Sequence, residues 1–204
     1  MDMHAALPDS FLDWWFSPWS YGSVNWEYAR LMQSIPGQRD AYRLWCAAAG
    51  LPAAIPRRYD PAWRVAATTD GARLMQVAAL FAGLLAARSR DDTVLRELDV
   101  GARRWCMSVA SIQPLRAVAP DLPRGEPAVV RGLVELAGRL ELSFPGLWPR
   151  LGLLVPAETR DRVDSLALAT KAPAEPAVAE TRRAARCWEI CAGRVAADEN
   201  MEGR

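Results

Sequence analysis

The chain has 204 residues, 51% hydrophobic and 24% charged, with a formal net charge of +1. That length suits one compact domain with a sizeable buried core, since a chain of this size removes roughly 70% of its unfolded surface from water. Arginines interleaved with acids at near-neutral charge argue against the basic excess of nucleic-acid and anionic-membrane binders.

Lys171 is the sole lysine among 25 basic residues; a GC-rich coding bias explains this more simply than selection for the bidentate, stacking chemistry of arginine. The opening "MDMHAALPDSFL" has an early acid and no basic n-region, so no secretory leader is expected. Cys46, Cys106, Cys187 and Cys191 are too dispersed for a small secreted scaffold, which favours reduced thiols in a cytoplasm.

Helical periodicity dominates and strand alternation is nearly absent. "DSFLDWWF" reads as a short helix ending before Pro18, and Ser23 is placed to cap "VNWEYARLMQ". In "QRDAYRLWCAAAG", Tyr42, Trp45, Cys46 and Ala49 share one face, and Gly50 with Pro52 ends the helix. After a proline-rich passage, Asp60 is a cap with Pro61 behind it. Asp70 then caps "GARLMQVAALFAGLLAAR", striped by Leu74, Val77, Phe81, Leu84 and Leu85 and apolar on its other faces too. A helix apolar all round belongs at the centre of a fold. Its longest apolar run, Leu74 to Ala87, is shorter than the ~20 residues that span a bilayer.

"DDTVLREL" is a short helix, and Asp99 caps "VGARRWCMSVASI", which must break near Pro114. "VAPDLPRGEP" is a loop. In "AVVRGLVELAGRLEL", Val129, Leu133, Leu136 and Leu140 face inward, while Arg131, Glu135 and Arg139 are expected to form successive pairs in solvent. "FPGLWPRLGLLVP" holds one short helix, and "TRDRVDSLALATKAPAEPAVA" a helical remnant plus a Pro/Ala linker. The closing helix "ETRRAARCWEICAGRVAA" carries Ala184, Trp188, Cys191 and Val195 on its stripe. The chain thus reads as an all-α, compact irregular helical domain over residues 1–197. It has a short-helical or extended aromatic N-terminal segment, loops near 51–60, 117–127 and 170–179, and a disordered tail over 198–204.

The chemistry is mostly exclusion. His4 is the only histidine, so His-based triads, zinc hydrolysis and most proton shuttles have no base. Phosphate-cradling glycine motifs are absent. Glu97, Glu135 and Glu189 each stand near an arginine and read as solvated ion-pair partners. Cys187 and Cys191, one turn apart, supply at most half a metal site and read better as small buried hydrophobes. No cofactor and no metal are expected. Four of nine tryptophans fall between Asp9 and Tyr28. They suit either a contact surface or the packing of an N-terminal segment onto a helical body, and packing is the preferred reading.

Several ordered pieces resemble the SctK family (also called YscK or HrpD-like) of bacterial type III secretion accessory proteins. "FSPWSY" is similar to the family's N-terminal Phe-x-Pro-x-x-Tyr patch, and "LMQVAALFAGLLAARSRDD" to its central apolar helix. "GLVELAGRLELSFPGLWPRLGLLVP" is similar to a late helix with Trp, Leu-Gly-Leu and Pro, and "ETRRAARCWEICAGRV" to the closing helix. Better-known members continue the first patch as Tyr-Leu-His, where this chain has Tyr21-Gly22-Ser23. The resemblance implies a non-enzymatic, cytoplasmic all-helical adaptor, peripheral to the inner membrane. It would link the cytoplasmic domain of the inner-membrane ring protein to the spoke protein of the sorting platform, with no nucleic acid, membrane insertion or small-molecule substrate. The partner patches on that reading are Trp14, Trp15, Trp19 and Tyr21 or the nearby loop with Arg57 and Arg58, and the arginine face Arg182, Arg183 and Arg186 of the last helix. The competing readings are an all-α regulatory domain holding a small apolar ligand among the tryptophans, and an α-helical transferase whose nucleophile is not evident.

Overall fold

The computed structural model describes residues 7–21, 37–119, 122–123, 125–169 and 178–202, which are helical or irregular and include no strand. The helices are α1 (Asp9–Phe16), α2 (Gln38–Ala48), α3 (Gly71–Ser89), α4 (Asp92–Glu97), α5 (Val100–Ile112), α6 (Ala128–Ser143), α7 (Leu147–Leu151), α8 (Ala157–Ala169) and α9 (Val178–Glu202), with 3-10 turns at Pro18–Ser20, Pro61–Ala66 and Gly152–Leu154. The all-α expectation holds. Ser23 with its helix, His4, Trp26, Tyr28 and residues 170–177 of the linker lie outside the described residues.

Local chemistry starts these elements, at Asp70 and Asp99 where the sequence places the caps and also at Asp91. The Asp70 carboxylate accepts from Arg73 N at 3.1 Å, that of Asp99 from Ala102 N at 2.8 Å, and that of Asp91 from Thr93 N at 3.1 Å. Each satisfies an amide that a helix start leaves unpaired. Asp60 does the same for Ala62 N at 2.9 Å, although the segment it opens is a 3-10 turn. Helix α6 lacks a cap of its own, and the Glu97 carboxylate reaches across to Ala128 N at 2.7 Å.

Helix α3 is the axis of the body. It packs against α4, α5, α6 and α9. By length and composition it could cross a membrane, with a mean hydropathy of 1.2 over its best window, yet its faces are taken by protein. Its Ala78 carbonyl lies so close to Gly132 of α6 that a Cβ there would run into it, and a Cβ on Gly83 would meet Cys106 Sγ at 2.7 Å. Small residues at these crossings let the three backbones approach. One main core results, from Phe11, Trp15 and Trp63 through the leucines of α3 and α6 to Trp188 and Cys191 of α9.

Two expectations are corrected. Glu135 and Arg139 are not solvated: both are buried, 3.4 Å apart, beneath residues 114–119. The Glu135 carboxylate accepts from Val118 N at 2.9 Å and Ala119 N at 2.7 Å, and Arg139 donates to the Arg116 carbonyl. The covering loop has buried amides to satisfy, and the pair satisfies them. Arg131 turns instead to Asp91, at 3.7 Å. The second correction is at the C-terminus, where α9 continues to Glu202 and makes residues 198–202 helical; an Arg194–Asp198 ion pair at 2.9 Å supports that extra turn.

Gly132→Ala should destabilise the chain by ~3 kcal/mol, because the new methyl meets backbone that cannot yield. Gly193→Ala, where a Cβ has open space on α9, should stabilise it by ~0.5–1 kcal/mol through helix propensity. Urea unfolding of the two variants checks both signs.

Candidate functional site

The aromatic N-terminal segment divides into an inner and an outer half. Trp14 and Trp15 are buried, and Phe11 packs with both and with Phe144 at the end of α6. Trp14 donates its indole N–H to the Thr68 carbonyl at 2.7 Å and stacks on Tyr21 at 5.0 Å. The expected partner role of Trp14 and Trp15 is therefore corrected: with Phe11 they stand at i, i+3 and i+4 and form the single buried face of α1, while Asp9, Ser10, Asp13 and Phe16 face solvent. Tyr21 is half-buried, and burial raises its phenol pKa. Phe16 and Trp19 remain 41% and 43% exposed, edge-on to Tyr42.

Arg150 of α7 holds that segment. It is fully buried and has no carboxylate partner among the described residues. Its guanidinium donates to Trp15 O at 3.2 Å, Gly146 O at 3.3 Å, Pro52 O at 2.9 Å and the Tyr42 hydroxyl at 2.9 Å, and lies 3.6 Å over the Trp15 ring. The Tyr42 hydroxyl in turn donates a hydrogen bond to Ala53 O at 2.7 Å. Four separate pieces of chain thus meet on one side chain. Gly146 permits this with a φ of +86° and with no Cβ to strike Pro52. Desolvation lowers the Arg150 pKa and raises that of Tyr42 to about 12. Sequence reading passed over Arg150, yet it carries a signal: it is the only charged residue between Glu141 and Glu158.

The remaining expected site residues are separate from this cluster. Arg57 and Arg58 are exposed on the loop between α2 and the 3-10 turn at Pro61. Arg182, Arg183 and Arg186 are exposed on α9, whose opposite face buries Ala184, Cys187, Trp188, Cys191 and Val195. Arg183 donates to the Pro114 carbonyl at 3.4 Å. The structure brings these arginines together on one helix face; among the described residues no hydrogen bond or ion pair joins them to the aromatic segment.

A cleft of about 410 Å³ opens between α6, α8 and the loop at Val118, lined mainly by apolar side chains with Trp148 at one side and Glu141 and Asp164 among them. Trp148 donates to Asp164 at 2.7 Å. This volume falls within the range of small-molecule sites. The four cysteines are free and buried, and no group of three metal-binding side chains forms among the described residues. Burial raises the thiol pKa of Cys106 to about 12 and pushes that of Cys191 well up, so these sulfurs pack rather than react.

Comparison with family models, with characterised proteins and with solved structures returns no match for this chain.

Two solution behaviours follow. Tyr42 and Cys106 are held neutral in the fold, so their stabilising contribution is complete below the ordinary values of 10.0 and 9.0 and is lost as pH rises through about 12. Stability should fall across that alkaline window, and Tyr42→Phe should flatten part of the decline in urea midpoints taken at successive pH values. At pH 8 a thiol reagent should label none of the four cysteines in the native chain and all four in denaturant; rapid native labelling would contradict the burial.

Proposed function

We propose that this protein is a non-enzymatic adaptor of the bacterial type III secretion apparatus. On this reading it lies in the cytoplasm at the inner membrane, between the cytoplasmic domain of the ring protein and the spoke protein of the sorting platform. The ordered resemblance along the chain supports the assignment. The observation that carries it is the division of "FSPWSY": Arg150 and the Trp14–Trp15 pair fix this segment, while Phe16 and Trp19 are presented to solvent. Large aromatics held rigidly at a surface lose little entropy on binding and are the usual anchors of protein interfaces. The arginines of α9 offer a second, chemically different patch. An adaptor works through geometry, and a body clamped at its backbone crossings transmits position between two such patches.

The cleft beside Trp148 favours a second reading, an all-α regulatory domain with a small apolar ligand. The ligand would then lie between α6 and α8, not among the N-terminal tryptophans. A fluorescence change on adding a defined apolar compound, abolished in Trp148→Phe, would support it.

Co-purification from cells making the secretion apparatus tests the adaptor reading. Phe16→Ser with Trp19→Ser should weaken capture of one partner at least tenfold and spare the other. Charge reversal at Arg182, Arg183 and Arg186 should do the converse. Retention of both partners by both variants, or normal effector export from a deletion strain, would overturn the proposal.

A further inference from the structure

We infer that the C-terminal half of α5 and the arginine face of α9 form one docking surface, and that its occupant is an acidic amphipathic helix of a partner protein. The inference rests on the adaptor reading and adds the chemistry of one partner segment.

Helix α5 buries Cys106 and Ala110 and leaves Met107 and Ile112 at 56% and 74% exposed. Arg104, Met107, Ser108 and Ser111, all exposed, stand at positions i, i+3, i+4 and i+7. These are the four corners of the hole that receives a side chain from a facing helix. Two serines make its floor shallow, and Met107 adapts to different knobs. Ile112 extends the apolar surface toward Pro114, and the Arg183–Pro114 hydrogen bond sets the first turns of α9 beside that end. The hole and the arginine face are therefore neighbours.

Charge selects the occupant. Four exposed or half-buried arginines of this chain find acids, Arg131 with Asp91, Arg160 with Asp164, Arg162 with Glu126 and Arg194 with Asp198, while others, such as Arg57 and Arg58, do not among the described residues. Arg104, Arg116, Arg182, Arg183 and Arg186 form no ion pair among the described residues, and all are exposed. Glu180 and Glu189 flank the run without pairing to it. A helix with apolar residues at helical spacing and carboxylates along its edges would fill the hole and neutralise the arginines together. A membrane surface fits less well: bilayer-lying helices present a broad apolar face with aromatics, whereas serines interrupt this one. Nucleic acid fits less well too, since α5 offers no exposed ring on which to stack a base.

The test uses the full-length chain in cells, with a photo-crosslinking phenylalanine analogue at Ile112. The segment captured is identified by mass spectrometry and then titrated as a synthetic peptide. The inference expects a net-negative segment with apolar residues at helical spacing, whose affinity falls as salt rises from about 0.05 to about 0.3 M. Met107→Ser with Ile112→Ser should weaken it at least tenfold, as should Arg182→Glu with Arg183→Glu, with the urea midpoint of each variant unchanged. Absence of a protein crosslink, capture of lipid or nucleic acid alone, a neutral or basic segment, or a peptide indifferent to both variants would overturn the docking surface. If the two secretion components bind but survive both double substitutions, the surface falls and the adaptor reading stands. If an acidic helix from a protein outside the secretion apparatus binds as expected, the surface stands and the adaptor reading falls.

Discussion

A guanidinium shut away from water and, among the described residues, from every carboxylate must be solvated by the chain that encloses it. Arg150 meets that requirement with three carbonyls, one phenol and the face of an indole. The cost of burying its charge is high, so the arrangement persists only if all of these groups stay in place together. That makes the contact a constraint on the described part of the N-terminal third. Helix α1, helix α2 and the Pro52 turn cannot move independently while the side chain remains satisfied. Burying an arginine in this way gives no assurance of high net stability, but it does specify one arrangement of otherwise loosely joined pieces.

The surfaces follow from that arrangement. With Trp15 under Arg150 and Trp14 bonded to Thr68, α1 has one permitted rotation, and this rotation leaves Phe16 and Trp19 outside. At the other end, the buried Glu135–Arg139 pair holds the loop after α5, and that loop in turn supplies the Pro114 carbonyl to Arg183. Two buried polar clusters therefore each position one exposed patch. Between them, α3 and α6 are locked at Gly132, so the patches belong to a body with little internal give. The proposed adaptor role calls on that property rather than on any reactive group.

Much of the fold was legible because it rests on short-range chemistry. The aspartate caps, the stop at Gly50 and the apolar wrap of α3 are each decided within a few residues, and each appears where the pattern puts it. Glu135 and Arg139 show where such reasoning fails: their spacing is that of a surface pair, and only the loop crossing above them makes them interior. Nothing in an i,i+4 pattern reports what lies on top of it. The tail misled for the opposite reason, since its polar residues suit a solvated last turn as well as a free end. Trp14 and Trp15 lie between these cases. Adjacent positions on a helix point about 100° apart, yet with Phe11 the two tryptophans fall within one i, i+3, i+4 face, and the sequence does not reveal what that face packs against. For the site, the α9 arginine face was readable from the stripe opposite it. Arg150 was not, although its isolation from acids is visible once its role is known.

The most direct test of this account is equilibrium urea unfolding of Arg150→Ala, followed by tryptophan fluorescence. Removing the guanidinium takes a donor from the carbonyls of Trp15, Gly146 and Pro52 and from the Tyr42 hydroxyl, which keeps only its bond to Ala53 O, and empties the space above the Trp15 ring. The account predicts a loss of ~3 kcal/mol and a red-shifted native emission as α1 loosens. A midpoint within ~0.5 kcal/mol of the parent, with unchanged emission, falls in the range of ordinary surface substitutions and would contradict it.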